Sequence, residues 1–300
     1  KLLAQYIGPN GFGKLGQFMS LISILGLVSA GGISNGIISN VSRFKKKPNR
    51  VNKLISAGIW IGLISGLLIG VILFVLSKQI SHFLFQSIKY QTVIEILSVL
   101  QIFTIFSVVF GGYLNGLQQN KDFSVLTIFS YTIATFLLFA LVKYKLFEGA
   151  LLSQIFLLII PGIFFVIYFK FKFSKKIIIY SFNSIDKRYY YKLLKHSTML
   201  IFSAILVPLV QIYSRNLIAE NTNWFEVGLW QSASKISETG LVFLNVIMVN
   251  YYLPEIGKNK TKIALNNLYK KAFKYLIPIL IVFITSVYFT RNLLIELLFS

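Results

Sequence analysis

Long apolar runs separated by short polar segments recur along the whole chain. A helix needs about 20 apolar residues to cross a bilayer. The pattern predicts membrane-spanning helices near residues 15–40, 54–76, 92–117, 123–142, 149–169, 197–219, 227–251 and 272–290. Residues 1–7 have the composition of the end of one more span. Because the chain begins without Met inside this apolar segment, we expect it to be a fragment of a longer protein.

One stretch of the chain occurs twice. Residues 15–28 match residues 229–242 at a constant spacing, with the pairs Leu15/Leu229, Gln17/Gln231, Ser20/Ser234, Ile22/Ile236, Ser23/Ser237 and Gly26/Gly240. Extended outward without a gap, the same register pairs Lys1 with Arg215. Such repeats in a membrane chain are typical of transporters with a site between two related bundles. The register predicts twelve spans and roughly 400 residues in the complete protein.

Composition supports the same class. Hydrophobic residues make up 56% of the chain and charged residues 13%, and the mean hydropathy is +0.73. These values exclude an ordinary soluble globular domain. We predict an all-α polytopic membrane protein with two six-helix bundles related by the repeat, of which this chain contains about nine of twelve spans. The predicted domains are a first bundle at 1–170 with a truncated first helix, a basic cytoplasmic linker at 171–195, and the first three helices of a second bundle at 196–300.

The net charge of +21 is concentrated in alternate loops. Of the 30 Lys and Arg residues, 21 lie at residues 43–53, 121, 170–195 and 258–274, and only six lie in the loops between these segments. The positive-inside rule places the basic segments in the cytoplasm, and this alternation argues against nucleic acid as a partner. Within the linker, residues 185–196 place Ile185, Tyr189 and Leu193 on one helical face and most charges on the other. This pattern predicts an interfacial helix lying on anionic lipid.

Three cations, Lys1, Arg215 and Lys235, fall within apolar spans. Each costs about 2.5–3.5 kcal/mol at the centre of a span, so such residues are rarely retained facing lipid. Arg215 lies near the outer end of its helix, where an arginine that snorkels to the headgroups is the alternative to a site. Lys235 has Glu238 three residues later on the same helical face, which gives an ion pair for insertion or for the transport cycle. The remaining positive charge predicts a cavity for anions, above all phosphate or pyrophosphate.

Small and polar residues mark other candidate positions. Residues 8–13 predict an outer turn, and the glycines at 26, 31, 32 and 36 predict either close helix packing or local unwinding. Asn35 is expected to face a wet interior, and the other candidates for such an interior, or for interhelical hydrogen bonds, are Gln154, Gln211, Gln231, Tyr131 and Tyr213. The chain has no cysteine, paired carboxylates, nucleophile elbow or phosphate loop, so we expect no enzyme, metal or cofactor.

Several motifs together resemble one family of transporters. They are Lys1-Leu2-Leu3-Ala4 with Gly8-Pro9-Asn10-Gly11, the segment from Ala30 to Gly36, Arg215-Asn216-Leu217, Val227-Gly228-Leu229-Trp230-Gln231, Ile236-Ser237 and Tyr252-Leu253-Pro254. The chain resembles the Wzx flippases, the translocases for O-antigen and for enterobacterial common antigen (lipid III). The resemblance covers essentially the whole chain. It implies the fold of the multidrug/oligosaccharidyl-lipid/polysaccharide exporters, with a central cationic cavity.

The resemblance also implies a cargo, an undecaprenyl-pyrophosphate-linked oligosaccharide that crosses the bacterial inner membrane by alternating access. Lys1 and Arg215 match the family's membrane-embedded cations and Glu238 an acidic position, whereas Lys235 is not part of the family pattern. We therefore expect substrate binding by Lys1, Arg215, Lys235, Asn35 and Gln231 and coupling to a proton or ion gradient through Glu238. Expected partners are the lipid-linked glycan, membrane lipids and a polysaccharide polymerase complex.

Three other functions remain open from the sequence. A cation-coupled multidrug exporter of the same fold would need uncompensated acidic residues inside the membrane. A lipid II flippase would carry more helices and further cavity arginines. A non-transporting scaffold for polysaccharide assembly would not need charges inside the membrane at all.

Overall fold

The computed structural model describes residues 2–173, 179–195, 197–247 and 262–299, which form helices joined by short turns and loops. The helices are α1 (Leu2–Val28), α2 (Ser34–Phe44), α3 (Pro48–Val75), α4 (Ser77–Phe85), α5 (Gln91–Leu100), α6 (Thr104–Gly116), α7 (Asn120–Phe173), α8 (Lys187–Leu194), α9 (Ser197–Asn221), α10 (Trp224–Ile247) and α11 (Lys262–Phe299). No strand occurs among these residues, so the all-helical class is confirmed. The relation of two six-helix bundles by a repeat stays a prediction.

The helices form two compact units. The large unit is Lys14–Asn223, and the small unit is Lys1–Gly13 together with Trp224–Ser300. In this division α9 belongs to the large unit, and the predicted domains at 1–170, 171–195 and 196–300 stay a prediction. In the described residues, five stretches are long and apolar enough to cross a membrane, namely Gln5–Val28, Pro48–Val75, Gln91–Gly116, Asn120–Lys172 and Phe273–Thr290.

The longest of these stretches is a hairpin. Leu146 has φ 44° and ψ −116°, which breaks α7 into two helices. The two halves run antiparallel, since Asp122 forms an ion pair with Lys172 at 2.8 Å and the rings of Phe129 and Phe164 are 5.4 Å apart. The break confirms the two separate spans that the sequence predicts near 123–142 and 149–169.

The predicted span at 15–40 is not one continuous helix. α1 ends at Val28 and α2 begins at Ser34, and between them Gly31 and Gly32 have φ values of 67° and 63°, a region that favours glycine. Close packing accompanies this unwinding, because a Cβ on Gly36 would lie 2.9 Å from the Leu193 carbonyl oxygen. Both of the roles that the sequence allows for these glycines are therefore present.

The predicted outer turn at 8–13 is wrong beyond its first residue. Only Gly8 leaves the helical region, with φ 64° and ψ 176°, and the helix resumes at Pro9. Proline suits the first position of a helix, because a backbone N–H at that position would have no partner within the helix. Gly13 instead allows close packing on α10, since a Cβ there would lie 2.9 Å from the backbone nitrogen of Gly228.

The basic linker forms the predicted amphipathic helix, α8, but its apolar face packs on protein. Ile185 and Leu193 are buried in the same apolar core as α2 and α3. The preceding segment docks on α3, where the Trp60 indole nitrogen donates to the Tyr180 carbonyl at 3.1 Å and the Tyr180 N–H donates to Ser56 Oγ at 2.9 Å. The apolar face of α8, which the sequence assigns to lipid, therefore contacts protein, because α2 and α3 present apolar side chains to it.

A test of the helix break compares two glycines with nearly equal φ. A Cβ at Gly32 would lie 2.8 Å from Ile201 Cγ1, whereas a Cβ at Gly8 would meet nothing within 4 Å. We expect Gly32→Ala to lower the free energy of unfolding by about 2 kcal/mol or more, since the clash adds to the backbone strain of a side chain at positive φ. Gly8→Ala adds strain without a clash, because φ 64° with ψ 176° is a region confined almost to glycine. Unfolding in detergent measures both losses, and a Gly32→Ala loss that is not reduced in an Ile201→Ala background would contradict the packing at Gly32.

Candidate functional site

Three helices of the large unit, α1, α4 and α9, meet at a polar cluster inside apolar surroundings. Phe18 on α1 and Phe85 on α4 are both fully buried, and their ring centroids lie 6.2 Å apart. Beside them α9 presents two pairs of residues spaced by four, Gln211 with Arg215 and Ile212 with Asn216, and such pairs share a helical face. The apolar shell keeps water away from the polar groups between the helices.

Arg215 is the charged member of this cluster. Its side chain is only 2% exposed, and its Nη1 donates a hydrogen bond to Ser20 Oγ at 2.9 Å. The Ser20 hydroxyl in turn donates to Gln211 Oε1 at 3.2 Å. The guanidinium is therefore directed into the interhelical contact and does not extend along the surface as a snorkelling side chain would.

Gln17 extends the cluster one turn further along α1. Its Nε2 donates to Asn216 Oδ1 at 2.6 Å and to the Ile212 carbonyl at 3.2 Å, and Asn216 Nδ2 donates to the Phe83 carbonyl of α4 at 3.3 Å. Gln17 is fully buried, and its Oε1 has no hydrogen-bond partner among the described residues. A buried acceptor of this kind costs about 1–3 kcal/mol, so it is a group that needs a functional explanation.

A neutral cavity of about 500 Å³ begins within one helical turn of Ser20, at Ile22 and Ser23. Its other walls come from α6 and α7, and the polar groups among its lining residues are Ser23, Thr104, Ser107, Thr127, Tyr131 and Gln154. Gln154 is 6% exposed. The volume is that of an ordinary small-molecule site, and the lining offers hydroxyl, amide and aromatic groups without any charge.

The remaining predicted site residues lie in different places. In the small unit, Lys235 Nζ and Glu238 Oε2 are 2.6 Å apart with side chains 37% and 36% exposed, which confirms the predicted ion pair. Gln231 lies on the same helix and is buried. In the large unit, Asn35 is exposed in the first turn of α2. Lys1 lies outside the described residues.

Gln17 and Ser20 join Arg215 in the cluster, although the sequence predicts no role for either of them. The duplication indicates that both positions are special, because Gln17 matches Gln231 and Ser20 matches Ser234. Polar residues repeated inside an apolar span are costly unless they are bonded. Their partner helix, α9, could not be identified from the repeat, because the repeat relates α1 to α10.

A matched pair of asparagines on α9 tests the cluster. Asn216 Nδ2 donates to the Phe83 carbonyl of α4, whereas Asn221 is exposed and its Nδ2 donates to the Leu217 carbonyl of its own helix. We expect Asn216→Ala to lower the free energy of unfolding by about 1–3 kcal/mol because it leaves the Gln17 amide without Asn216 Oδ1 as its acceptor, and Asn221→Ala to change it little. Thermal unfolding in detergent compares the two, and equal effects would contradict a bonded cluster.

Comparisons with known proteins agree with the resemblance found in the motifs. Residues 1–260 match the model of a family described as polysaccharide biosynthesis protein. The chain is similar to proteins named lipid III flippase from Escherichia coli (strain K12) and Shigella flexneri, each 26% identical over 309 residues that cover 100% of this chain and 72% of the relative. No solved structure matches the chain. Because the family match extends over far more than half of the residues, this multi-pass membrane protein belongs to the polysaccharide biosynthesis protein family.

Proposed function

We propose that the protein is a flippase that moves an undecaprenyl-pyrophosphate-linked oligosaccharide from the cytoplasmic to the periplasmic leaflet of the bacterial inner membrane. The observation that carries this proposal is Arg215, a cation that is 2% exposed and whose Nη1 donates to Ser20 Oγ across the contact of α1 with α9. The similarity to proteins named lipid III flippase supports the choice of a lipid-linked glycan as the cargo.

Arg215 is suited to bind the diphosphate group of the carrier lipid. A guanidinium can donate two parallel hydrogen bonds to phosphate oxygens, and a site shielded from water strengthens such bonds. Ser20, which accepts from Nη1 at 2.9 Å, holds the guanidinium in place until an anion replaces it. Lys1 occupies the equivalent position in the sequence repeat, and we propose the same role for it.

Access to Arg215 requires movement. A side chain that is 2% exposed cannot contact a diphosphate until α1 and α9 separate. The hydrogen bonds of Gln17 and Ser20 to α9 would break in that step. Oxygens of the bound anion would then accept hydrogen bonds from Arg215 in place of the bonds that it loses. A transporter that rocks between inward-open and outward-open states uses such a contact as a gate, which opens only when cargo compensates the lost bonds.

The neutral cavity beside the cluster is suited to the glycan. Sugar hydroxyls both donate and accept hydrogen bonds, and the amide of Gln154 and the hydroxyl of Tyr131 can do the same. Because Ser20 and Ser23 are one helical turn apart on α1, a diphosphate at Arg215 would place the attached sugar near this cavity. We further propose that Asn35 and Gln231 contact the glycan as the transporter opens, and that Glu238, paired with Lys235, couples transport to a proton gradient.

Substitution of Arg215 tests the proposal in cells that depend on this transporter. Arg215→Ala is expected to abolish surface glycan and to accumulate the lipid-linked precursor on the cytoplasmic side, because the diphosphate loses its charged donor. Arg215→Lys is expected to retain part of the activity, since a point charge still attracts the diphosphate but lacks the bidentate geometry. The measurements are surface glycan, precursor level and protein abundance.

Arg188→Ala is the matched control. It removes the same charge from an exposed arginine that pairs with Asp186 outside the cluster, and it should leave transport unchanged. Ser20→Ala separates positioning from charge, because it keeps the cation and removes the hydroxyl that accepts from its Nη1, and it should reduce the rate without abolishing transport. Normal transport by Arg215→Ala at normal abundance would contradict the role of Arg215.

Glu238→Gln addresses the coupling in the same cells. The change removes the charge that pairs with Lys235 while it preserves size, so we expect cargo binding to remain and the dependence of transport on the proton gradient to weaken. Initial transport rates with and without a protonophore measure this. If the variant keeps the full dependence, Glu238 is not the coupling group.

A further inference from the structure

Three cations of the large unit converge on one aromatic ring at the ends of α2 and α3. Arg43 Cζ, Arg50 Cζ and Lys192 Nζ lie 6.0, 5.8 and 4.9 Å from the centroid of the Phe44 ring. Any two of these charges are therefore within about 12 Å of each other, each in cation–π range of the same ring. Three like charges around one ring raise the local positive potential, which favours a bound anion.

In the part of the chain that the structure describes, the acidic side chains near the cluster pair with other cations. Among the described residues, the nearby acidic residue of the linker, Asp186, pairs with Arg188 at 3.7 Å, and Asp122 pairs with Lys172 at 2.8 Å. No ion pair of the described ranges involves a cation of the cluster. The three charges are therefore available to a ligand.

The backbone adds to the positive potential. α3 begins at Pro48, beside the cluster, and its first turn has no acidic residue. The N-terminus of a helix carries a partial positive charge and favours anions, phosphate above all. Two guanidinium groups and an ammonium supply donors that match the oxygens of a phosphate ester. The helix N-terminus adds potential and not these donors, because Pro48 has no N–H and the N–H groups of Arg50 and Val51 donate to the Lys47 carbonyl.

The position of the cluster indicates a lipid as the source of the phosphate. α3 is long and apolar enough to span a membrane, so its first turn lies at the membrane–water boundary. Next to Lys192 on α8, Tyr191 and Leu194 are 69% and 44% exposed and offer apolar surface for acyl chains. Positive residues at the cytoplasmic boundary attract anionic headgroups.

We propose that Arg43, Arg50 and Lys192 form a binding site for the phosphate of an anionic lipid headgroup in the cytoplasmic leaflet. The Phe44 ring gathers the three cations, and because Lys192 is on α8, a bound headgroup ties the linker to the ends of α2 and α3. This site is separate from Arg215, and its function does not depend on the identity of the transported cargo.

The chain offers a control with the same charge. Lys45, Lys46 and Lys47 belong to the same loop and are all exposed, and none of them contributes to the cluster on the Phe44 ring. Purified protein in neutral phosphatidylcholine nanodiscs is titrated with dioctanoyl phosphatidylglycerol at physiological salt, and binding is followed by native mass spectrometry or calorimetry. Physiological salt screens diffuse attraction and so reduces the part of the binding that depends on net charge alone.

The triple variant R43Q/R50Q/K192Q is expected to weaken saturable one-to-one binding about tenfold or more, and K45Q/K46Q/K47Q less than about threefold. Lys192→Gln alone should also weaken binding, because α8 supplies that charge. Equal losses in the two triple variants would overturn the proposal, since they would show attraction by net charge alone.

A lipid-free arm uses sn-glycerol 3-phosphate as the probe. Weaker binding than that of the short-chain lipid supports a headgroup site at the membrane boundary. Equal binding would overturn the assignment to a lipid. Both arms use binding alone as the readout, so their outcome is independent of whether the protein transports a lipid-linked glycan.

Discussion

A guanidinium buried in an apolar helix contact must be hydrogen-bonded, and the arrangement of α1, α4 and α9 meets this requirement. The cost of an unpaired charge in a span is several kcal/mol, so Arg215 constrains which helix α9 can pack against. Ser20 accepts from it, Gln211 accepts from Ser20, and Gln17 and Asn216 continue the contact by one turn. The polar cluster thus fixes the pairing of these helices more specifically than apolar packing alone, which has little directional preference inside a membrane.

Breaks in the helices complement this fixed contact. The large unit joins rigid segments at Gly31-Gly32 and at Leu146, where the backbone leaves the helical region. Backbone groups freed at such breaks must find other partners away from lipid, and the Ser29 carbonyl does so by accepting from Ser65 Oγ at 2.8 Å. A helix that is broken but still bonded can bend at one place without losing its packing elsewhere, as alternating access requires.

Much of the helical architecture could be predicted from the pattern of apolar residues, because a span has a length set by the bilayer. The spans at 54–76, 92–117, 123–142 and 149–169 correspond to helices of the structure. Local chemistry also predicted the ion pair of Lys235 with Glu238, since residues three apart share a helical face. The break at Gly31 and Gly32 could be predicted only as one of two alternatives, because glycine permits both unwinding and close packing.

What the sequence could not provide were contacts between distant segments. The sequence of α8 allows its apolar face to pack either on lipid or on protein. The structure decides between the two, because Leu193 and Ile185 pack against α2 and α3. Likewise, Arg215 was identified by its charge in an apolar span, but Ser20 and Gln17 are 195 and 199 residues distant from their partners on α9. No local pattern encodes such a pairing.

The central claim is that α1 and α9 must separate at Arg215 for cargo to pass, and a reversible cross-link tests it most directly. The chain has no native cysteine, so Gln17→Cys/Asn216→Cys can be bridged by a short thiol-cleavable reagent in proteoliposomes that contain a polyprenyl-diphosphate-linked oligosaccharide. A control bridge between Asp122→Cys and Lys172→Cys joins the two halves of the α7 hairpin, which need not separate. The account predicts that the first bridge stops flipping and that a reductant restores it, while the second has no effect. Flipping at an unchanged rate through a fully bridged α1–α9 contact would contradict it.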